Sequence, residues 1–210
     1  MMVENLQDIR ASIDMIDDQL LDLICRRMDL SKAVATAKSG GVTYRPGREA
    51  GVFLRLAEKA PDLPAGIARN IWRQIMTASS AQQDRSVGVA VLDSALPTAS
   101  WHFGGQLSLI SCNTISACSA AVQDGAAYAL VPVSEDAALA AWLLQNQDLH
   151  IIAITPFAAV HEDGDGLPPC YVIGRTEADP VRHETTLIAC GDGDTTRIEA
   201  CSGRSADALA

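Results

Sequence analysis

From Leu6 onward, apolar residues recur three and four places apart: Leu6, Ile9, Ile13, Ile16, Leu20, Leu23 and, after a gap, Leu30, Val34 and Ala37. That alternation is the period of a long amphipathic helix with a narrow packing seam. It predicts a helix from about Glu4 to Lys38, stopped by Ser39-Gly40-Gly41 because glycine is the usual helix terminator. At 1.5 Å per residue the helix is roughly 50 Å long. A globule of ~85 residues has a radius of gyration of only about 12 Å. Such a helix overshoots its own domain, its seam needs a partner, and an intertwined homodimer is the economical answer.

Two further helical patterns follow. Pro46 suits a first turn, with Val52, Phe53 and Leu56 as an apolar face, and Pro61 and Pro64 break this second helix. The third runs from about Ala65 to Asp84, with Ile67, Ile71, Ile75 and Ala78 on its expected core side. Beyond it the pattern changes to short β-branched runs. Residues 87–92, 107–111, 127–133, 149–155, 170–174 and 185–190 read as strands, with helices at Thr114–Gln123 and Glu135–Asn146. Alternating strands and helices predict a small α/β domain with a mainly parallel sheet. The segment after Cys190 is small, polar and Gly-rich, and reads as a mobile tail. The expected organisation is an all-α three-helix domain at 1–85, an α/β domain at 86–190 and a flexible tail at 191–210.

Charge reinforces that division. Residues 1–85 carry 12 Lys+Arg against 11 Asp+Glu, whereas residues 86–210 carry 4 against 15 and no lysine. So acidic a chain argues against nucleic-acid binding. No apolar run reaches membrane-spanning length, and the N-terminus lacks the basic and apolar regions of a signal peptide. The six cysteines form no C-x-x-C pair. A metal site is not expected, and reduced cytoplasmic thiols are the simplest reading.

The seam of the first helix is broken by Arg27. Burying an unpaired guanidinium costs several kcal/mol or more, so an anion should meet it. Lys38 lies 11 residues on, close to three turns, and returns to nearly the same face. Two cations aimed into one packed interior describe a pocket for a small anion. Ser79 and Gln83, four residues apart, share a face of the third helix.

The pattern Leu6-x-x-Ile9-Arg10-x-x-Ile13-Asp14, then Arg27, Lys38, Arg48-Glu49 and Ser79-x-x-x-Gln83, resembles the all-helical type of chorismate mutase over residues 4–85. Segment Tyr44-Arg45-Pro46-Gly47-Arg48-Glu49-Ala50 resembles the mutase domain of bifunctional mutase–prephenate dehydratases. The resemblance implies a cofactor-free isomerase of phenylalanine and tyrosine biosynthesis, converting chorismate to prephenate. It implies that Arg27 and the partner subunit's Arg10 bind the two substrate carboxylates. Lys38 and Gln83 would hydrogen-bond the ether oxygen, Glu49 would hold the ring hydroxyl, Ser79 would contact a carboxylate, and Arg48 would support the site. Arg10 lies about 25 Å along the helix from Arg27 and on another face, so it reaches that ligand only from a second chain. Arg45 stands where some family members carry an acidic residue.

Residues 125–133 and 169–175 resemble two motif strands of prephenate dehydratase, with changes where that chemistry sits. Ser134-Glu135 replaces Glu-Asn, and Pro169-Cys170 replaces Thr-Arg. A single, non-catalytic lobe is expected, and removing it at about Arg85 is expected to leave mutase turnover largely intact. Two other functions fit the helical scaffold: a pyruvate lyase acting on isochorismate, and an inactive mutase-like regulatory or binding subunit. Loss of Arg27, Lys38, Glu49 or Gln83 would favour the inactive subunit, and none is lost.

Overall fold

The computed structural model of the chain describes residues 5–37, 44–84, 87–156, 166–176, 185–192 and 195–202. Contacts gather the chain into two units, Met1–Thr43 and Tyr44–Ala210.

The first unit contains one described helix, α1 (Leu6–Ala37). Asn5 caps it, its side-chain oxygen accepting the Gln7 backbone N–H at 2.7 Å, and Asp8 sets a negative charge in the first turn. Both favour a helix start. No residue of α1 is buried. The seam residues Ile9, Ile13, Ile16, Leu20, Leu23, Leu30 and Val34 are all exposed, and Met15, Leu21 and Ile24 widen the apolar stripe.

The second unit joins α2 (Pro46–Lys59) and α3 (Ala65–Gln83) to an α/β layer. Its sheet contains β1 (Gly88–Leu92), β2 (Ser108–Cys112), β3 (Tyr128–Pro132), β4 (His150–Thr155) and β5 (Cys170–Gly174), in the order β2-β1-β3-β5-β4. Strands β1, β2 and β3 pair in parallel, and β5 runs antiparallel to both β3 and β4. The sheet is therefore mixed, with four strands pointing one way. Residues 156–169 between β4 and β5 hold three prolines and two glycines.

Strands β1, β3 and β5 are buried along their whole length, so each feeds both faces with period two. Val89, Val91, Leu130 and Val172 meet Ala95, Ala99 and Phe103 of the segment containing α4 (Leu96–Phe103). Ala90, Ala129, Val131 and Ile173 meet the opposite core, which includes Cys118 and Val122 of α5 (Ile115–Gln123) and Leu139, Trp142 and Leu143 of α6 (Asp136–Gln145). A hairpin of β6 (Thr185–Gly191) and β7 (Thr196–Ser202) lies against α6. Leu187, Ala189 and Ile198 pack on that core, and Thr196 Oγ1 donates to the Ala137 carbonyl at 2.6 Å.

Three features depart from the sequence expectations. Strand β7 occupies part of the segment expected to be a tail, because Leu187 and Ile198 place an apolar face over α6. Helix α4 is an additional element. The third departure is the orientation of α3. Ile67 and Ile71 are 50 % and 47 % exposed, and the side buried instead carries Ala68, Arg69, Arg73, Met76 and Thr77. This side meets α4: Asn70 Oδ1 accepts from Trp101 Nε1 at 3.1 Å, the Arg69 guanidinium sits 5.6 Å from the Trp101 ring centre, and Thr77 Oγ1 lies 3.0 Å from the His102 carbonyl. Gly104 permits the approach. It ends α4 at φ +60°, and a Cβ there would come within 3.3 Å of Thr77 Cγ2. The sequence pattern changes near Asp84–Ser86, but by packing α2 and α3 belong with the α/β layer.

Candidate active site

Glu49 lies in the first turn of α2, just after Pro46, and is buried. A carboxylate so placed requires a counter-charge, and Arg73 of α3 supplies it. Arg73 Nη1 donates to Glu49 Oε2 at 2.6 Å and Nη2 to Oε1 at 2.9 Å, a two-pronged fork between helices. Arg73 Nε donates to Thr77 Oγ1 at 3.3 Å. Burial alone would lower the Arg73 pKa, but the charge of Glu49 and its hydrogen bonds outweigh burial and raise it. The guanidinium is permanently charged.

Five residues before Glu49, Tyr44 is driven into the α/β layer. Its ring makes edge contacts with His102, Phe103 and Tyr128, at centroid distances of 5.4, 5.6 and 5.5 Å. Its hydroxyl lies 2.9 Å from His102 Nε2, and His102 Nδ1 lies 2.6 Å from Thr155 Oγ1. Burial, followed by the nearby Arg73 charge, pushes the His102 pKa well below its ordinary value. Burial, followed by the charge of Glu49, pushes the Tyr44 pKa well above its own. The chain Tyr44–His102–Thr155 is therefore neutral, with one ring nitrogen donating and the other accepting.

The sequence-predicted residues fall into both units. Arg10 is exposed on α1 and Arg27 is partly buried there. Lys38 lies outside the described residues. Arg48 is exposed, Ser79 is buried and Gln83 is partly buried. The Ser79 hydroxyl donates to the Ile75 carbonyl at 2.8 Å, so contacting a substrate carboxylate requires it to rotate. Glu49, Ser79 and Gln83 are brought into one unit, with the Arg73 fork tying the helix of the first to the helix of the other two.

Sequence reasoning missed Arg73, Tyr44 and His102. Arg69 and Arg73, four apart, look like a solvated helix face. The available signal was weak: an arginine fork on α3 and a carboxylate on α2 that both had to be satisfied. Among the described residues no group of three or more His, Cys, Asp or Glu could hold a metal ion. None of their helices is long and apolar enough to cross a membrane.

At the positions where the α/β layer resembles the dehydratase, Cys170 is fully buried and its thiol donates to the Pro168 carbonyl at 3.3 Å. Burial raises the pKa of that thiol to about 11. The Pro169 carbonyl accepts from the Val133 N–H at 2.9 Å. These residues close the end of the sheet.

A bifunctional chorismate mutase/prephenate dehydratase of Neisseria gonorrhoeae is 29% identical over 160 residues, covering 73% of this chain and 42% of that protein. The chain thus spans less than half the length of that relative. No solved structure matches it. The family described as chorismate mutase type II matches residues 9–84, the stretch holding Arg10, Arg27, Lys38, Arg48, Glu49, Ser79 and Gln83.

Proposed function

We propose that this chain is a chorismate mutase of aromatic amino acid biosynthesis, acting in the cytoplasm as a homodimer that rearranges chorismate to prephenate. The observation that carries this reading is the family match, whose span includes every residue of the predicted site. The rearrangement requires no nucleophile and no proton transfer. It requires the substrate held as a compact chair and donors aimed at the ether oxygen, which gains negative charge as its C–O bond breaks.

Arg27 and Arg10 of the partner subunit take the carboxylates, for which guanidinium forks are well shaped. Lys38 and Gln83 donate to the ether oxygen, and Glu49 accepts from the ring hydroxyl. Ser79 contacts a carboxylate, and Arg48 supports the site. The exposed apolar stripe of α1 supports the dimer, since a contiguous apolar surface of that size marks an interaction site.

The α/β layer is a non-catalytic remnant of a dehydratase-like lobe. A dehydratase must protonate a leaving hydroxyl, and Pro169 and Cys170 supply neither a strong donor nor a charge.

The test is to incubate the purified full chain with chorismate, follow the loss of its absorbance and identify the product. Prephenate is expected; no turnover of chorismate, or faster release of pyruvate from isochorismate supplied in a parallel assay, overturns the assignment. Subunit exchange between Arg10→Ala and Arg27→Ala proteins tests the shared site. Heterodimers then hold one intact site and should recover activity, and no recovery despite verified exchange removes the crossed Arg10.

A further inference from the structure

Arg73 sits on α3, six residues before Ser79 and ten before Gln83, and only 2% of it is exposed. Three of its five N–H groups are committed: two to the oxygens of Glu49 and one to Thr77. Glu49 is fixed in turn, because each carboxylate oxygen accepts one N–H of the fork. A carboxylate oxygen has two lone pairs, so one on each oxygen remains to accept a hydroxyl. The bond spans two helices. It therefore sets the position of the carboxylate on α2 relative to the polar face of α3 that carries Ser79 and Gln83.

We propose that Arg73 is a positioning residue of the mutase site, orienting Glu49 toward the substrate's ring hydroxyl without itself touching substrate. This rests on the reading of Glu49 as a substrate ligand. A lysine could supply the charge but not the planar fork that fixes both oxygens.

A double-mutant cycle on the full-length protein tests it. Turnover of chorismate is measured for wild type, Arg73→Ala, Glu49→Gln and the double variant, at enzyme concentrations that resolve Glu49→Gln above uncatalysed rearrangement. A small misplacement of a catalytic group costs about 10²-fold, and that loss is expected in kcat/KM for Arg73→Ala, mainly through kcat. In the Glu49→Gln background the same change should cost less than about threefold, because a residue acting through another loses its effect when the other is gone. Circular dichroism checks folding. If Arg73→Ala does not fold, Arg73→Lys takes its place in the cycle, with an expected loss of about tenfold from the missing fork.

An equal loss in both backgrounds, or no loss in either, overturns the positioning role while leaving the mutase reading intact. Wild-type turnover by Glu49→Gln overturns the ligand role of Glu49 and the proposal with it. An inactive wild-type protein overturns the mutase reading itself.

Discussion

The hydroxyl of Tyr44 lies 2.9 Å from Nε2 of His102, joining the approach to α2, two residues before its start, to the last turn of α4. The start of the helix carrying Glu49 is thereby anchored inside the α/β layer. Tyr44→Phe leaves a buried ring nitrogen without its partner, a loss of about 1–3 kcal/mol. Tyr44→Ala also empties an aromatic site and should cost about 3–5 kcal/mol. Urea unfolding of both variants measures the two losses; equal stability of Tyr44→Ala and wild type contradicts the anchor.

Truncation follows from the same contact. The sequence alone suggests that residues 1–85 are self-sufficient. The structure alters that expectation, because Tyr44, Arg69, Asn70 and Thr77 pack on residues that such a fragment lacks. The fragment is expected to melt lower and turn over chorismate more slowly than the full chain. A fragment with full activity and an unchanged melting temperature would show that the α/β layer contributes nothing to α2 and α3.

Stability should fall in mild acid through His102. Its folded pKa is depressed, first by burial and then by Arg73, whereas an unfolded histidine titrates near about 6.5. As pH drops through that value the unfolded chain takes up a proton that the folded chain refuses. The neutral ring's contribution is full above pH of about 6.5 and is lost below it, by up to about 1.4 kcal/mol per pH unit. Comparing wild type with His102→Gln in urea between neutral and mildly acidic pH isolates this slope. Parallel profiles for the two proteins would refute the assignment.

Gly104→Ala is expected to loosen α3 from α4. A side chain at φ +60° is strained, and the added carbon meets Thr77 Cγ2 at 3.3 Å. Strain of that kind costs about 1–3 kcal/mol. The checks are the unfolding midpoint and hydrogen exchange of the α3 amides, which should both report the change.

On the proposed mutase reading, Arg27→Ala removes a charged donor from a desolvated site and should lose about 10²–10³-fold in kcat. Near-wild-type turnover of chorismate by that variant would remove Arg27 from the site.

The legible parts of this chain are those with a local pattern. Helix α1 follows from a repeat of three and four and strands β1, β3 and β5 from short apolar, β-branched runs, and their bounds differ from expectation by at most two residues. Of the seven expected site residues, only Arg27 and Lys38 stand out by charge on an apolar seam; Arg10, Arg48, Glu49, Ser79 and Gln83 rest on the family resemblance. What escaped depends on partners distant in sequence. The burial of Arg73 is decided by Glu49, 24 residues away, and that of Tyr44 by His102, 58 residues away. The outward turn of Ile67 and Ile71 has the same origin. The face that α3 buries is chosen by α4, an eight-residue helix too short to announce itself by period. Strand β7 was obscured by its setting among glycines and acidic residues, although Ile198 and Ala200 alternate in it.

The bareness of α1 bears on how the protein behaves when dilute. A 32-residue helix with no buried residue relies largely on its own backbone ladder, and helices in water gain most of their stability from packing an apolar face. On the proposed dimer, pairing with a second chain makes helicity and association one equilibrium, governed by mass action. Far-ultraviolet helical signal and catalytic competence should decline together on dilution, at the same protein concentration, while the signature of the sheet persists.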